Sequence, residues 1–225
     1  IVTRRIEVMC AQALTTGTTT IDGYVDEGSA DIVSDTIDFK VPALHKVAPA
    51  TKWDNNGDIL ADIRDWRRIL IKDGGLSPRQ LILGNGAADA FVSNSAVREL
   101  LDNRRINMGT IDPDVLPDGV TYWGMLKDSM VDVWSYDEYY VDLEDNEQQM
   151  IPSNLAILTT NRARFTRHFG AIMDMDAVES GAIAVPYYPK QYKSNDGVQR
   201  FLMMQSRPLP VLHDNQSIYI ADVLT

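Results

Sequence analysis

One cysteine, three histidines, no basic tract and no long apolar run leave this sequence short of what several protein classes need. With Cys10 alone, no intramolecular disulfide and no cysteine-cluster metal site can form, a usage that fits a reducing compartment. His45, His168 and His213 lie far apart in the chain and make neither H-x-H nor H-E-x-x-H, so metal spacing is absent from the histidines too. No apolar run approaches the ~18 residues of a membrane-spanning helix. The opening IVTRRIEVMC mixes charge and apolar side chains at helical spacing, unlike a secretion signal, so NQS at 215–217 is a chance match to a glycosylation acceptor. RRIEV, WRRIL and NRRIN carry only isolated arginine pairs, against a net charge of −11. A chain of that sign is repelled by nucleic acid rather than drawn to it by counterion release.

What the 225 residues do hold is an ordinary globular composition, 44% hydrophobic and 24% charged, enough for one large domain or two small ones. The spacing predicts a helix over 3–14, with Ile6, Met9, Ala13 and Leu14 on one face and a stop at Gly17. Because Ile1 already stands in that pattern, the expectation is that a longer parent was cleaved or trimmed. Two extended segments follow between Thr18 and Val41. The clearest helix starts near Asp58: Ile59, Ile63, Trp66 and Leu70 recur at i, i+4, i+7 and i+11, with Asn56 or Asp58 to cap it and Gly74 to end it. QLILGN reads as a strand, 86–92 and 95–104 as helices (the second with Val97, Leu100 and Leu101 inward), and 108–124 as an Asp-, Pro- and Gly-rich loop. Strand material returns at 130–143, 153–159 and 198–224, where Pro208 and Pro210 place a bend at an edge or turn. The expected architecture is α+β, its sheet completed by both ends of the chain around an inserted α/β unit.

Four candidate sites are weighed against structural readings. In LILGNGAADAF (81–91) the strand, the paired Gly84 and Gly86 and the helix start could cradle a phosphate. The G-x-G-x-x-D pattern, ending at Asp89, lacks the third glycine. Arg104 and Arg105 stand where a ribose-binding acid is wanted, and the P-loop pattern does not match, so a tight corner is the better reading. Asp54, Asn56 and Asp58 imitate a calcium loop, but its glycine position is Ile59 and its closing glutamate position is Asp65, so a turn and cap are expected. His168 has no nucleophile motif beside it, and Cys10 sits on a core-facing helix stripe, which argues against Cys–His catalysis. The acids of YDEYYVD (136–142) and DMDAVE (174–179) come in pairs, as in a glycosidase, yet 32 acidic residues make such pairs expected, and a strand edge and hairpin tip are the default. No catalytic, cofactor-binding or metal residue is assigned.

The two ends of the chain carry a resemblance. GVQRFLMMQSRPLPVLHDNQSIYIADVL (197–224), with QSRPLPV at 205–211, resembles the end of the major capsid proteins of tailed bacteriophages, in the lambda-like capsid E family. RRIEVMCAQALTTG (4–17) is similar to the end of that family's spine helix, and the stretch from IDFKVPALHKVAPATKWDNNGDILADIRDW (37–66) to PRQLILGNGAADAF (78–91) keeps the family's order. The resemblance implies an HK97-type fold, α+β, with a peripheral domain over 1–47 and 186–225 and an axial domain over 48–185. The N-terminal arm, the extended loop and the start of the spine helix are missing from it. It further implies a non-enzymatic shell protein without cofactor. Copies of it would form hexamers and pentamers of an icosahedral virion head, assembled in the bacterial host cytoplasm with scaffold, portal and decoration proteins, enclosing DNA without sequence-specific binding and without a membrane. A tail-tube or decoration protein is the alternative, and a nucleotide- or sugar-handling enzyme a remoter one.

Overall fold

The computed structural model describes residues 2–24, 32–102, 109–110, 114–115, 119–142, 145–172, 174–179, 181, 183–194 and 196–225. Helix α1 (Val2–Thr16) buries Ile6, Met9 and Ala13, with Leu14 half-buried beside them, as the spacing predicts. Gly17 ends it in the left-handed region (φ +73°), its N–H donating to Ala13 O at 3.1 Å. Strands β1 (Thr18–Tyr24) and β2 (Ile32–Asp38) form an antiparallel hairpin, Thr18 opposite Asp38 and Tyr24 opposite Ile32. Short 3-10 turns at Ala43–His45 and Trp53–Asn55 lead to α2 (Ile59–Gly74). All four residues chosen by periodicity are buried, Asp58 accepts from Ala61 N at 3.0 Å as the N-cap, and Gly75, one residue later than expected, closes the helix.

Next come β3 (Gln80–Leu83), α3 (Asn85–Ser93) and α4 (Ser95–Asp102). After them the chain runs through β4 (Gly109–Thr110), β5 (Asp114–Val115), β6 (Val120–Leu126), β7 (Val131–Tyr136), β8 (Tyr139–Val141), β9 (Glu147–Gln149), β10 (Leu155–Thr159) and β11 (Phe165–Phe169). Helix α5 (Met175–Glu179) precedes β12 (Tyr188–Lys193), β13 (Arg200–Gln205), β14 (Pro208–Leu212) and β15 (Tyr219–Asp222). A seven-stranded sheet runs β15-β10-β3-β7-β6-β4, with β5 also on β6. Only β3 and β7 are parallel among its pairs, and α3 and α4 lie in the connection between them.

Period-two alternation divides the core between the faces of this sheet. Tyr219 and Ala221 join Ala156, Leu158, Leu81 and Leu83 under α2, α3 and Val97 of α4. Ile218 and Ile220 turn the other way, onto Val41, Leu212, Phe165 and Leu14 of α1. The ring of Trp66 stacks between Trp53 (5.8 Å between centroids) and Tyr219 (5.1 Å), tying α2 to the 3-10 turn before it and to the last strand.

Three expectations are corrected. The two ends of the chain do not complete one sheet: among the described residues β1 and β2 pair only with each other, while β15 belongs to the central sheet. The reason is burial, since Tyr219, Ile220 and Ala221 are all covered and need packing on both faces, whereas residues 34–38 of β2 are largely exposed. Pro208 and Pro210 lie not in a bend but within β14, a strand paired on one side only, by β11, where a missing N–H on the open side costs no ladder bond. The end of the expected loop 108–124 is β6, whose Val120, Thr121, Tyr122 and Trp123 suit a pleated strand and pair with β7 across a bulge at Tyr122/Gly124. Val97 is buried, but the expectations for the side chains of Leu100 and Leu101, and for Arg104 and Arg105, lie outside the described residues.

Candidate functional site

At the glycine corner, Gly84 N donates to Leu155 O (2.9 Å), Gly86 N to Ser153 Oγ (3.1 Å) and Ala87 N to Ser153 O (2.8 Å). Three of the donors that would face a phosphate are thus engaged by the chain itself. A Cβ on Gly84 would sit 2.1 Å from Pro152 O, and one on Gly86 2.5 Å from Ser153 Oγ. The glycines therefore serve a close backbone approach between the start of α3 and the residues before β10. Asp89 takes no part in that crossing.

The three oxygen carriers of the calcium-like stretch have three separate tasks. Asp54 accepts from the N–H of Thr225 (3.1 Å) and from its hydroxyl, which hold its carboxyl below the usual range. Asn56 takes a left-handed turn conformation (φ +60°), and Asp58 caps α2. Among the described residues no group of three or more metal-type side chains gathers.

His45 is buried, its Nδ1 3.2 Å from Ile218 O and its Nε2 3.1 Å from Asp73 Oδ2, a packed core histidine. His168 and His213, distant in sequence, meet in space: both Nε2 atoms lie on Thr166 Oγ1, at 2.9 and 2.6 Å, with the rings edge to face. The β11–β14 pairing produces this, and no sequence spacing could have revealed it. Cys10 is half-buried, and burial pushes its thiol up, away from the thiolate that nucleophilic chemistry needs.

In each acidic cluster one cation is shared by two carboxylates. Glu138 binds Arg4 Nη1 (2.7 Å) and accepts from Tyr136 OH, while Glu7 binds the same guanidinium (2.9 Å) and also accepts from Tyr136 OH (3.1 Å). Arg4 and Tyr136 hold Glu138 below the usual carboxylate range, and burial together with the two acids pushes Tyr136 well up. This network fastens α1 to the strand ends beside β8. In the second cluster Lys190 Nζ reaches Asp174 (2.8 Å to both oxygens) and Asp176 (2.7 Å), which holds Asp174 low.

The feature missed in the sequence is the β12–β13 hairpin. Among the described residues its strands pair only with each other, and Val198 (79% exposed), Leu202 (70%) and Met204 (55%) face solvent. The register puts Lys193 opposite Arg200 on the face of Leu202 and Met204, while Tyr192 stacks on Phe201 at 5.1 Å on the other. Like charges directly opposed destabilise a strand pair, and an isolated two-stranded ribbon is marginal in water. Apolar side chains on both faces of such a ribbon mark an interaction surface. The legible signal was FLMM at 201–204, a continuous apolar run of the kind a strand covered on both faces carries.

With this geometry in place, comparison with known proteins defines the class. A protein described as a prophage capsid protein of Escherichia coli CFT073 superposes with a TM-score of 0.76 over 98% of this chain and 62% of its own, at 23% identity; the fold is shared. The model of the family "Phage major capsid protein E" matches residues 1–223, and the chain belongs to that family. The major capsid protein of Escherichia phage lambda is 35% identical over 127 residues, 55% of this chain and 36% of that protein, and that of Escherichia phage N15 is 34% identical over the same extent. The matched stretch therefore spans little more than a third of the length of these curated relatives.

Proposed function

We propose that this chain is part of the major capsid protein of a tailed bacteriophage, a structural, non-catalytic subunit whose copies tile an icosahedral head around the genome. The observation that carries the reading beyond family membership is the exposed β12–β13 hairpin, with apolar side chains on both faces and opposed cations. A shell needs modest contacts repeated by symmetry, and such a ribbon supplies one. In this reading α1, the β1–β2 hairpin and the strands β12–β14 belong to a peripheral domain of HK97 type, and residues 48–185, whose sheet β15 joins at its edge, to an axial domain. Hexamers and pentamers of the subunit assemble in the host cytoplasm with scaffold and portal proteins, and decoration proteins join the finished head. The net charge of −11 suits a wall that holds DNA without gluing to it.

Negative-stain electron microscopy of the full-length polypeptide, expressed alone and with neighbouring genes, tests this. Closed shells or hexameric plates are expected; a small discrete oligomer under every condition would overturn the reading. Leu202→Ser together with Met204→Ser is expected to leave the unfolding temperature unchanged while abolishing assembly.

A further inference from the structure

At the end of the central sheet where β3 begins and β10 finishes, a cavity of about 190 Å³ is lined by Ser77, Arg79, Thr160, Asn161 and Arg162. Arg67 of α2 stands at its rim, with Nη2 3.5 Å from Ser77 Oγ and a buried Nε that has no hydrogen-bond partner. Among the described residues no ion pair engages Arg67, Arg79 or Arg162, although acids outnumber bases 32 to 21 and Arg4, Arg64 and Arg68 have all found carboxylates. The lining thus carries two cations, Arg79 and Arg162, with Arg67 on its Ser77 and no counter-charge in its lining, and the serine, threonine and asparagine beside them add further donors. Such a lining suits an oxyanion, which guanidinium groups bind in forked, charge-assisted pairs.

We propose that this cavity is a carboxylate socket that receives the acidic β8–β9 tip of a neighbouring copy of the chain. The proposal rests on the capsid reading and names a contact within it. Strand β7 runs parallel to β3, so the socket beside Arg79 and the hairpin that follows Tyr136 lie at opposite ends of the same pair of strands. The six residues of β7 that run between those ends span about 20 Å at ~3.3 Å per residue. At that far end Asp145 and Glu147 are exposed, and among the described residues neither is in an ion pair. A basic socket at one end and an acidic tip at the other make a head-to-tail contact, the heterologous kind that closes into a ring when the rotation between copies permits. A DNA phosphate is the competing oxyanion, but the chain's overall negative field opposes DNA approach.

A charge swap in the full-length polypeptide tests the socket, read by sedimentation velocity and electron microscopy. Arg79→Glu with Arg162→Glu, both at exposed positions, should keep the wild-type unfolding transition and weaken association at least about tenfold, the scale expected when a desolvated charge pair is broken. Asp145→Arg with Glu147→Arg should do the same, and mixing the two variants should restore mixed rings. Wild-type association should also fall as salt rises from about 50 to about 500 mM. Undiminished assembly of the first variant overturns the socket while leaving the capsid reading standing, whereas a wild type that never assembles counts against the capsid reading itself. Failure of the two variants to complement also overturns the socket. So does loss of double-stranded DNA binding by the first variant with assembly intact, since the socket would then read phosphate.

Discussion

Gly84 and Glu138 illustrate how little of a residue's task its own identity declares. Gly84 stood in a sequence pattern that could belong to a phosphate loop, and its role is to let Pro152 O pass where a Cβ would sit 2.1 Å away. Gly84→Ala should therefore destabilise by about 2 kcal/mol or more, the upper range for overpacking against backbone that cannot retreat, and lower the thermal midpoint by several degrees. Glu138 shows the complementary case, an acid in a cluster that invited a catalytic reading and serves as a clasp between Arg4 and Tyr136. Its folded pKa is lowered, so its contribution to stability is present above the unfolded value of 4.5 and is lost as pH falls through the folded value. Stability measured against pH should decline below about pH 4.5, and Glu138→Gln should flatten that decline while lowering the plateau at neutral pH. Asp174, held low by Lys190, adds a fall of the same sign.

Among the elements, α2 was readable in detail because one face repeats through four turns and its cap is written beside it. Trp66 stacks on both Trp53 and Tyr219, so Trp66→Ala should cost about 3–5 kcal/mol, against about 1 kcal/mol for Asp58→Ala at the cap; chemical denaturation compares the two. Strand β6 was harder, since the density of Asp, Pro and Gly before it masked its β-branched and aromatic run. The β12–β13 hairpin was harder still. Its apolar run predicts a covered strand, and only the fold reveals that none of the described residues covers it. Local composition cannot distinguish a strand covered by its own chain from one awaiting a partner.

Across the whole molecule, stability should be uneven. Amide hydrogen exchange is expected to be slowest in β3, β7, β10 and β15, which carry the buried core of the central sheet. It should be fastest among the strands in β1–β2 and β12–β13, each a ribbon with no third strand. Equal protection of the hairpins and the sheet in the unassembled chain would contradict this division. On assembly, protection should rise in β12–β13 first, because there the exposed apolar surface is largest.

The sequence by itself determined α1 and α2, their buried faces, the stop of α1 at Gly17, the β1–β2 pair, the acidic sign of the molecule and, through its two ends, the family. These are local or additive properties: a helical period, a cap and a net charge need no partner distant in the chain. Only the tertiary structure decided that β15 joins the central sheet, that His168 meets His213, that Arg79 and Arg162 line one cavity with Arg67 at its rim, and that the hairpin stands uncovered among the described residues. Each of these depends on strand order or register, which long-range burial selects from many pairings the same local pattern would permit.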